Sequence, residues 1–202
     1  AGLLKLPIFV IIKPTSNSTK RDVFLGWIEG WDDKSKTFLI IFGLTPPKDI
    51  PTGIDDDDDP FIFTSSKKSE SSKSKNSRKR KFRFKILRRY QNVCMVCSLT
   101  VLQLLTATHI RPLTKFGSDD VRNGLLLCQL HHKAFKADLF GINPSTLQIK
   151  YRVEGPNKNQ LKITIDDLSH LLRKPHTKAL TWHWKQWASK NKLSLSSAEA
   201  EN

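Results

Sequence analysis

The stretch that decides the fold is CMVCSLTVLQLLTATHIRPLTKFGSDDVRNGLLLCQLHHKAF, residues 94–135. Cys94 and Cys97 form one short hook, and Cys128 and His131 form a second hook with the same spacing. Zinc accepts thiolate and imidazole ligands in tetrahedral sets of four, and paired hooks are typical of structural zinc sites. Ordinary buried cysteines are the alternative, but they do not account for the matched spacing. We therefore predict a structural zinc on these four residues.

The segments between and after the hooks predict a strand, a loop, a second strand and a helix. LQLLTATHI indicates a strand that ends at His109, NGLLLC indicates a turn and a strand, and QLHHKAFKADLF can form a helix. His131 and His132 are adjacent, so on a helix their side chains point about 100° apart. One imidazole can then face the zinc while the other faces the opposite side.

Composition points to a polyanionic partner. The chain has 202 residues, a formal net charge of +15 and a pI near 9.9, which make nucleic acid the first candidate through counterion release. A solvated basic tail that carries the excess charge is the alternative. Three cysteines suit a zinc set better than a disulfide framework, and this favours a reducing, intracellular setting. No run of about 18 apolar residues is present, so no membrane span is expected.

The N-terminal part predicts a small β unit, which we delimit as residues 1–54. PIFVIIK, DVFLGWIEGW and KTFLIIFG are strand-like, and residues 32–35 predict a hairpin turn. Gly26 and Gly30 indicate a bulge or a close backbone approach. Trp27 and Trp31 are expected to pack in the core rather than to stack on a base.

Residues 55–80 and 191–202 differ from the rest in composition. The first segment is rich in Asp, Ser and Lys and predicts a disordered charged linker, whereas the second predicts a disordered tail. FIFT, residues 61–64, is an apolar island that is expected to pair with the N-terminal sheet. The following run SRKRKFRFK leads into KILRRY, a helical pattern. Its cations could bind phosphates, act as a nuclear-import signal in a eukaryotic source, or lie in solvent at a helix start.

The C-terminal third predicts two strands and two helices. Residues 147–153 and 160–165 indicate strands, and Asp166 or Asp167 is expected to cap a short helix that ends before Pro175. TKALTWHWKQWASK predicts an amphipathic helix with one face formed by Leu180, Trp184 and Trp187. His183, on this helix, is expected to be a packing or surface residue.

Three groups of residues resemble the HNH endonucleases, the ββα-metal nucleases. They are HI.P (His109, Ile110, Pro112), NGLLLC (residues 123–128) and HH..F (His131, His132, Phe135). The chain is most similar to HNH domains of modification-dependent restriction endonucleases, which also have the L.WH of residues 180–183. The likeness covers about residues 82–190, and residues 1–54 only vaguely resemble target-reading modules. The predicted architecture is therefore α+β: a small N-terminal β unit, a disordered charged linker and an HNH nuclease domain, residues 81–190, with a structural zinc.

The resemblance implies a metal-dependent DNA endonuclease. His109 matches the general base, Asn123 matches the residue that braces the loop and orients that base, and His132 matches a ligand of a catalytic Mg²⁺ or Mn²⁺. RNA as the substrate and pairing of two chains stay open. The residues predicted to bind nucleic acid are Arg78, Lys79, Arg80, Lys81, Arg83, Lys85, Arg88, Arg89, Arg111, Lys115 and Arg122.

Two positions depart from the family pattern. Thr108 stands where many relatives have a second metal ligand, and Lys136 stands where relatives commonly have Asp; Asp119, Asp120 and Asp138 are the nearby acids, the first two expected to face solvent. Lys136 favours an alternative function, in which a catalytically weak or inactive HNH fold binds nucleic acid within a larger assembly. A zinc-finger protein that uses the cluster for protein contacts is the third alternative.

Overall fold

The computed structural model describes residues 6–45, 60–64 and 72–191. The chain divides into two compact units, Ala1–Asp56 and Asp57–Asn202. None of the described helices is both long enough and apolar enough to cross a lipid bilayer.

The first unit contains a three-stranded antiparallel sheet. Its strands are β1 (Ile8–Ile12), β2 (Asp22–Asp32) and β3 (Thr37–Phe42), and β2 lies in the middle. The register of β2 against β3 shifts between Ile28 and Gly30, which confirms the predicted bulge. Trp27 is buried and donates a hydrogen bond from Nε1 to the carbonyl of Gly43 at 2.9 Å, so it packs in this unit as expected.

The described residues of the second unit form four helices and two small antiparallel sheets. Its elements in chain order are α1 (Ser72–Arg89), β4 (Leu105–His109), β5 (Gly124–Cys128), α2 (Gln129–Lys136), β6 (Phe140–Ile142), β7 (Ile149–Tyr151), α3 (Lys158–Leu161) and α4 (Thr177–Lys190). Single 3₁₀ turns lie at Leu102–Leu104, Leu113–Lys115 and Val121–Asn123.

Strands β4 and β5 form the centre of the second unit. They pair from Leu105 opposite Cys128 to His109 opposite Gly124, and every residue of β5 is buried. Helix α1 packs on this pair through Phe82 and Ile86, and Tyr90, which directly follows the helix, is buried with them. A Cβ at position 124 would lie 2.3 Å from Cδ1 of Ile86. Glycine at position 124 therefore lets the helix approach the strand closely.

Strands β6 and β7 form a hairpin that rests on α4. Trp187 of α4 is fully buried and donates a hydrogen bond from Nε1 to the carbonyl of Asp138 at 3.0 Å. Leu180 and Trp184 are also buried, which confirms the predicted apolar face of this helix. The ββα unit, formed by β4, β5 and α2, thus packs between α1 and the layer formed by the hairpin and α4.

The structure corrects two sequence predictions in the C-terminal third. Residues 160–165 do not form a strand, because Asn157 and Gln160 make a reciprocal capping box that starts α3. The partner of β7 is instead β6. Residues 166–176 contain turns and bends rather than a capped helix, since the Asp167 carboxylate accepts from the backbone N–H of Ser169 at 2.8 Å and closes a turn.

The predicted linker is partly ordered. Helix α1 begins at Ser72, because its apolar face has the β4–β5 pair to pack against. Phe61 of FIFT is buried in the core of the second unit and stacks on His176 with ring centroids 4.0 Å apart, so it does not join the N-terminal sheet. The remaining linker residues, 55–59 and 65–71, and the tail from 192 onward lie outside the described residues.

Candidate metal centre and catalytic cleft

The four predicted zinc ligands lie together. One ligand atom each from Cys94, Cys97, Cys128 and His131 falls within 4.8 Å of the other three. The Sγ atoms of Cys97 and Cys128 are 3.9 Å apart, close to the edge of about 3.8 Å in a tetrahedron with Zn–S bonds near 2.3 Å. The donor set and its spacing therefore fit a closed structural zinc site.

Hydrogen bonds around this cluster orient its ligands. Nε2 of His131 lies 2.9 Å from the carbonyl oxygen of Leu161, which can only accept, so Nε2 carries the proton. Nδ1 is then free to bind a metal, and it lies 3.0 Å from Sγ of Cys128 and 3.7 Å from Sγ of Cys94. A second bond of this kind is typical of histidines that ligate zinc.

Burial shifts the pKa values of three zinc-site residues when no metal ion is bound. It raises the pKa of Cys94, raises the pKa of Cys97 to about 12, and lowers the pKa of His131. The thiols of Cys94 and Cys97 therefore favour the neutral form and release protons when a cation binds.

The predicted general base lies at the end of β4. Nε2 of His109 is 2.9 Å from Oδ1 of Asp119, and its ring stacks on Phe82 with centroids 3.9 Å apart and planes 8° apart. The other carboxylate oxygen of Asp119 is 3.3 Å from Nε of Arg78. Asp119, expected to face solvent, thus joins the candidate base to helix α1. The motif offered no signal for this contact, which depends on how the loop folds back.

Asn123 holds the loop that follows His109. Its side chain is fully buried; Oδ1 accepts from the N–H of Arg111 at 2.9 Å, and Nδ2 donates to the carbonyls of Arg111 at 3.0 Å and Ser118 at 2.8 Å. The carbonyl of Asn123 also accepts from the N–H of Ile110 at 2.8 Å. Within this loop, a Cβ at Gly117 would lie 1.9 Å from the carbonyl oxygen of Arg111. These contacts are what a bracing role requires.

Two comparisons found proteins to which this chain is similar. Residues 94–143 match the family model described as HNH endonuclease. Residues 94–143 are an HNH domain. A solved structure described as a modification-dependent TagI restriction endonuclease is similar to the chain with 18% identity and a TM-score of 0.41. The likeness covers 90% of this chain and 62% of that one, so this chain spans less than two thirds of that length. No curated protein matches the chain.

A cleft of about 380 Å³ opens beside the candidate base of the HNH domain. His109, Asp119 and the buried Thr108 line it, together with the cations Arg78, Lys79, Arg83 and Lys136. Because Asp119 is the sole carboxylate of this lining and already contacts Arg78 and His109, the cleft has a positive character that suits a phosphodiester.

The donor set for a catalytic ion is small. His132, on α2, is half-buried, and burial followed by the charge of Lys136 lowers its pKa, so its imidazole is neutral and able to bind a metal. Within the described part of the chain, the four zinc ligands are the one group of three or more His, Cys, Asp or Glu side chains that lie close enough to share a metal ion. His132 is not among the residues that line the cleft of His109, so a catalytic ion with His132 as its protein ligand stays a prediction.

The basic residues predicted to bind nucleic acid fall into two groups. Arg89 and Arg122 are buried: Arg89 donates to the carbonyl of Lys174, and Arg122 pairs with Asp120 at 2.7 Å. Arg83 donates to the carbonyls of Leu102 and Leu105 and also lines the cleft. Buried guanidinium groups with protein partners are unsuited to phosphate contacts, so Arg89 and Arg122 are corrected to structural positions. Of the other residues in the predicted set, Lys79, Arg80 and Lys85 on α1 and Lys115 in the loop after β4 are exposed, whereas Arg78, Lys81, Arg88 and Arg111 are half-buried.

Proposed function

We propose that this protein is a metal-dependent DNA endonuclease that hydrolyses phosphodiester bonds in the cleft beside His109. One observation carries the proposal: the imidazole of His109 is fixed by Asp119 and Phe82 at a cleft whose other charged residues are cations. A fixed imidazole next to a positive cleft is an arrangement that suits general-base hydrolysis of a polyanion.

His109 takes the proton of the attacking water in this proposal. Asp119 accepts from Nε2–H, so the lone pair of the ring lies on Nδ1, and we assign that atom as the base. Asp119 then stabilises the imidazolium that forms, and Arg78 holds the carboxylate in place. Asn123 acts through the backbone of the loop, which it holds against the strand that presents His109.

His132 would hold the divalent ion, Mg²⁺ or Mn²⁺. When bound, such an ion polarises the scissile phosphate and stabilises the leaving oxygen. Lys79 and Arg78 contribute positive charge for the DNA backbone at the same cleft. RNA as the substrate, pairing of two chains and a nuclear location in a eukaryotic source stay predictions that this proposal does not need.

A second candidate function is nucleic-acid binding by a catalytically weak HNH fold within a larger assembly. The specific observation in its favour is Lys136, which lines the same cleft as His109 and stands where relatives have a carboxylate. An ammonium group at this position repels a divalent ion but attracts a phosphate.

Cleavage of supercoiled plasmid DNA separates the two functions. Zinc-loaded protein is incubated with Mg²⁺ or Mn²⁺ beside His109→Ala and a control, His170→Ala, whose side chain is exposed and contacts the carbonyl of Asp167. We expect nicking by the wild type and by His170→Ala, and none by His109→Ala with unchanged zinc content. A wild type that binds DNA but leaves it intact with every ion would favour the second function.

A further inference from the structure

A second cavity adjoins the catalytic cleft. It has a volume of about 600 Å³ and lies between the loop after β4, the end of α2 and helix α4. Pro112 and Lys136 line both this cavity and the catalytic cleft. We call it the α4 cavity. Its volume lies within the range of small-molecule sites, about 300–1,000 Å³.

His183 is an unusual group in the wall of this cavity. Only 8% of the residue is exposed, its ring stacks on Phe135 with centroids 4.2 Å apart, and it lines the cavity. An imidazole in the wall of a cavity can exchange hydrogen bonds with a ligand, so His183 suits a ligand that has hydrogen-bonding groups.

The protonation of His183 describes that ligand further. Burial lowers its pKa to about 4, so the ring is neutral at physiological pH and offers one donor and one acceptor. Gln186, one turn along α4, also lines the cavity and adds an amide with the same dual capacity. A heterocycle with adjacent donors and acceptors, such as a nucleobase, matches these two side chains.

The rim of the cavity is basic and partly aromatic. Its cations are Arg111, Lys115, Lys136 and Lys190, and its one carboxylate, Asp138, already pairs with Lys190 at 2.6 Å. Trp182 is half-buried and lines the same opening, with the guanidinium of Arg111 at 5.5 Å from its ring centroid. Cations beside an indole surface are the combination that binds an unpaired nucleotide, through its phosphate and its base.

We infer that the α4 cavity receives one unpaired nucleotide of the strand that crosses the catalytic cleft. The base lies against Trp182 with its edge towards His183, and the phosphate lies at the basic rim near Lys115. A base inside a duplex cannot reach such a cavity, so the nucleotide is extruded or already single-stranded. This inference rests on the proposed function for the path of the strand, although binding itself requires no cleavage.

Binding of labelled oligonucleotides tests this inference in a His109→Ala background, where the DNA stays intact. The probe is a fluorescein-labelled 12-nucleotide single strand, followed by anisotropy with zinc-loaded protein. We expect Trp182→Ala to weaken binding about tenfold, the usual loss when a base loses an aromatic surface. Equal affinity of Trp182→Ala and its parent would overturn the inference.

Two charge substitutions at neighbouring positions of α4 test the cavity against a matched control, and neither of them alters a core residue. Gln186→Glu places a negative charge in the α4 cavity, whereas Lys185→Glu alters the charge by two units at an exposed neighbour outside it. We expect Gln186→Glu to weaken binding more than Lys185→Glu does. The opposite order would mean that general electrostatics, not the cavity, determines affinity.

Two further arms identify the source of the nucleotide and separate this inference from the proposed function. A free mononucleotide, dAMP, should compete at least 100-fold more weakly than the single strand, and equal competition would overturn the assignment to a strand. Plasmid cleavage by otherwise wild-type Trp182→Ala is read in parallel. If Trp182→Ala weakens binding but the wild-type protein does not cleave, the endonuclease proposal alone is refuted. If Trp182→Ala leaves binding unchanged and the wild-type protein cleaves, the cavity inference alone is refuted.

Discussion

Asp119 accepts a hydrogen bond from Nε2 of His109 at 2.9 Å. The carboxylate comes from a loop ten residues further along the chain, and its other oxygen pairs with Arg78 of α1. The orientation of the candidate base therefore depends on α1 as well as on β4, the strand that carries it.

Asp119→Asn should lower the cleavage rate. An amide can present its NH₂ to Nε2, which favours the tautomer with the proton on Nδ1, so the loss should be about tenfold or more. Single-turnover cleavage of a plasmid at several pH values measures it, and Asp119→Glu, which keeps the charge, should recover part of the rate. An unchanged rate in Asp119→Asn would show that this contact does not position the base.

Asn123→Ala should destabilise the second unit. The substitution removes a fully buried amide and leaves the N–H of Arg111 and two carbonyls without their partner, at a cost of roughly 3 kcal/mol. Chemical denaturation of the zinc-loaded protein measures the free energy of unfolding. A variant as stable as the wild type would mean that water replaces the amide in the loop.

Cys97→Ser should abolish the zinc site and unfold the ββα unit. Structural zinc contributes folding free energy on the order of 10 kcal/mol, and the segment between the hooks is short for a core of its own. Zinc analysis and thermal unfolding measure the effect. Because burial raises the pKa of Cys94 and Cys97, protons compete with the metal, and zinc affinity of the wild type should fall as pH falls. A folded, zinc-free variant would contradict the assignment.

Lys136→Asp should strengthen binding of a divalent ion near His132. Replacement of an ammonium by a carboxylate removes repulsion and adds an oxygen ligand, for a gain of at least about tenfold. Mn²⁺ titration of zinc-loaded protein by calorimetry measures it. Lys133→Asp is the matched control, since it makes the same charge change on an exposed position of α2 outside the cleft. Equal gains in both variants would place Lys136 away from the ion.

His183 should make stability depend on pH. Its pKa falls from 6.5 to about 4 on folding, so the unfolded chain binds the proton more tightly. Stability is then fully present above about pH 6.5 and is lost as pH falls towards 4, by up to about 3 kcal/mol. His183→Gln does not titrate at this position, and its difference from the wild type in free energy of unfolding should shift with pH over that window. A difference independent of pH would refute the lowered pKa.

Local patterns in the sequence predicted the metal centre because its ligands come in two hooks of fixed spacing. The same holds for β4, β5 and α2, because each of them is one continuous stretch of the sequence. The contact of Asp119 with His109 was not predictable in this way, since it depends on how Gly117 and Asn123 fold the intervening loop. The stacking of His109 on Phe82 likewise requires the position of α1, which no short pattern encodes.

The errors have a similar origin. Residues 160–165 have strand-like composition, but the capping pair Asn157 and Gln160 acts over four residues and overrides it. The true partner of β7, Phe140–Ile142, is a three-residue strand that is too short to give a period. Phe61 joins the second unit through His176, a contact across more than a hundred residues.

The bond from His131 to the carbonyl of Leu161 has a practical consequence for anyone who shortens or transplants this protein. A fragment that ends at residue 143 would keep all four sulfur and nitrogen donors and both candidate catalytic imidazoles, yet it would lose the oxygen that sets the tautomer of one donor. A fragment that keeps the zinc site intact therefore has to be longer than the sequence motif and to extend at least through α3.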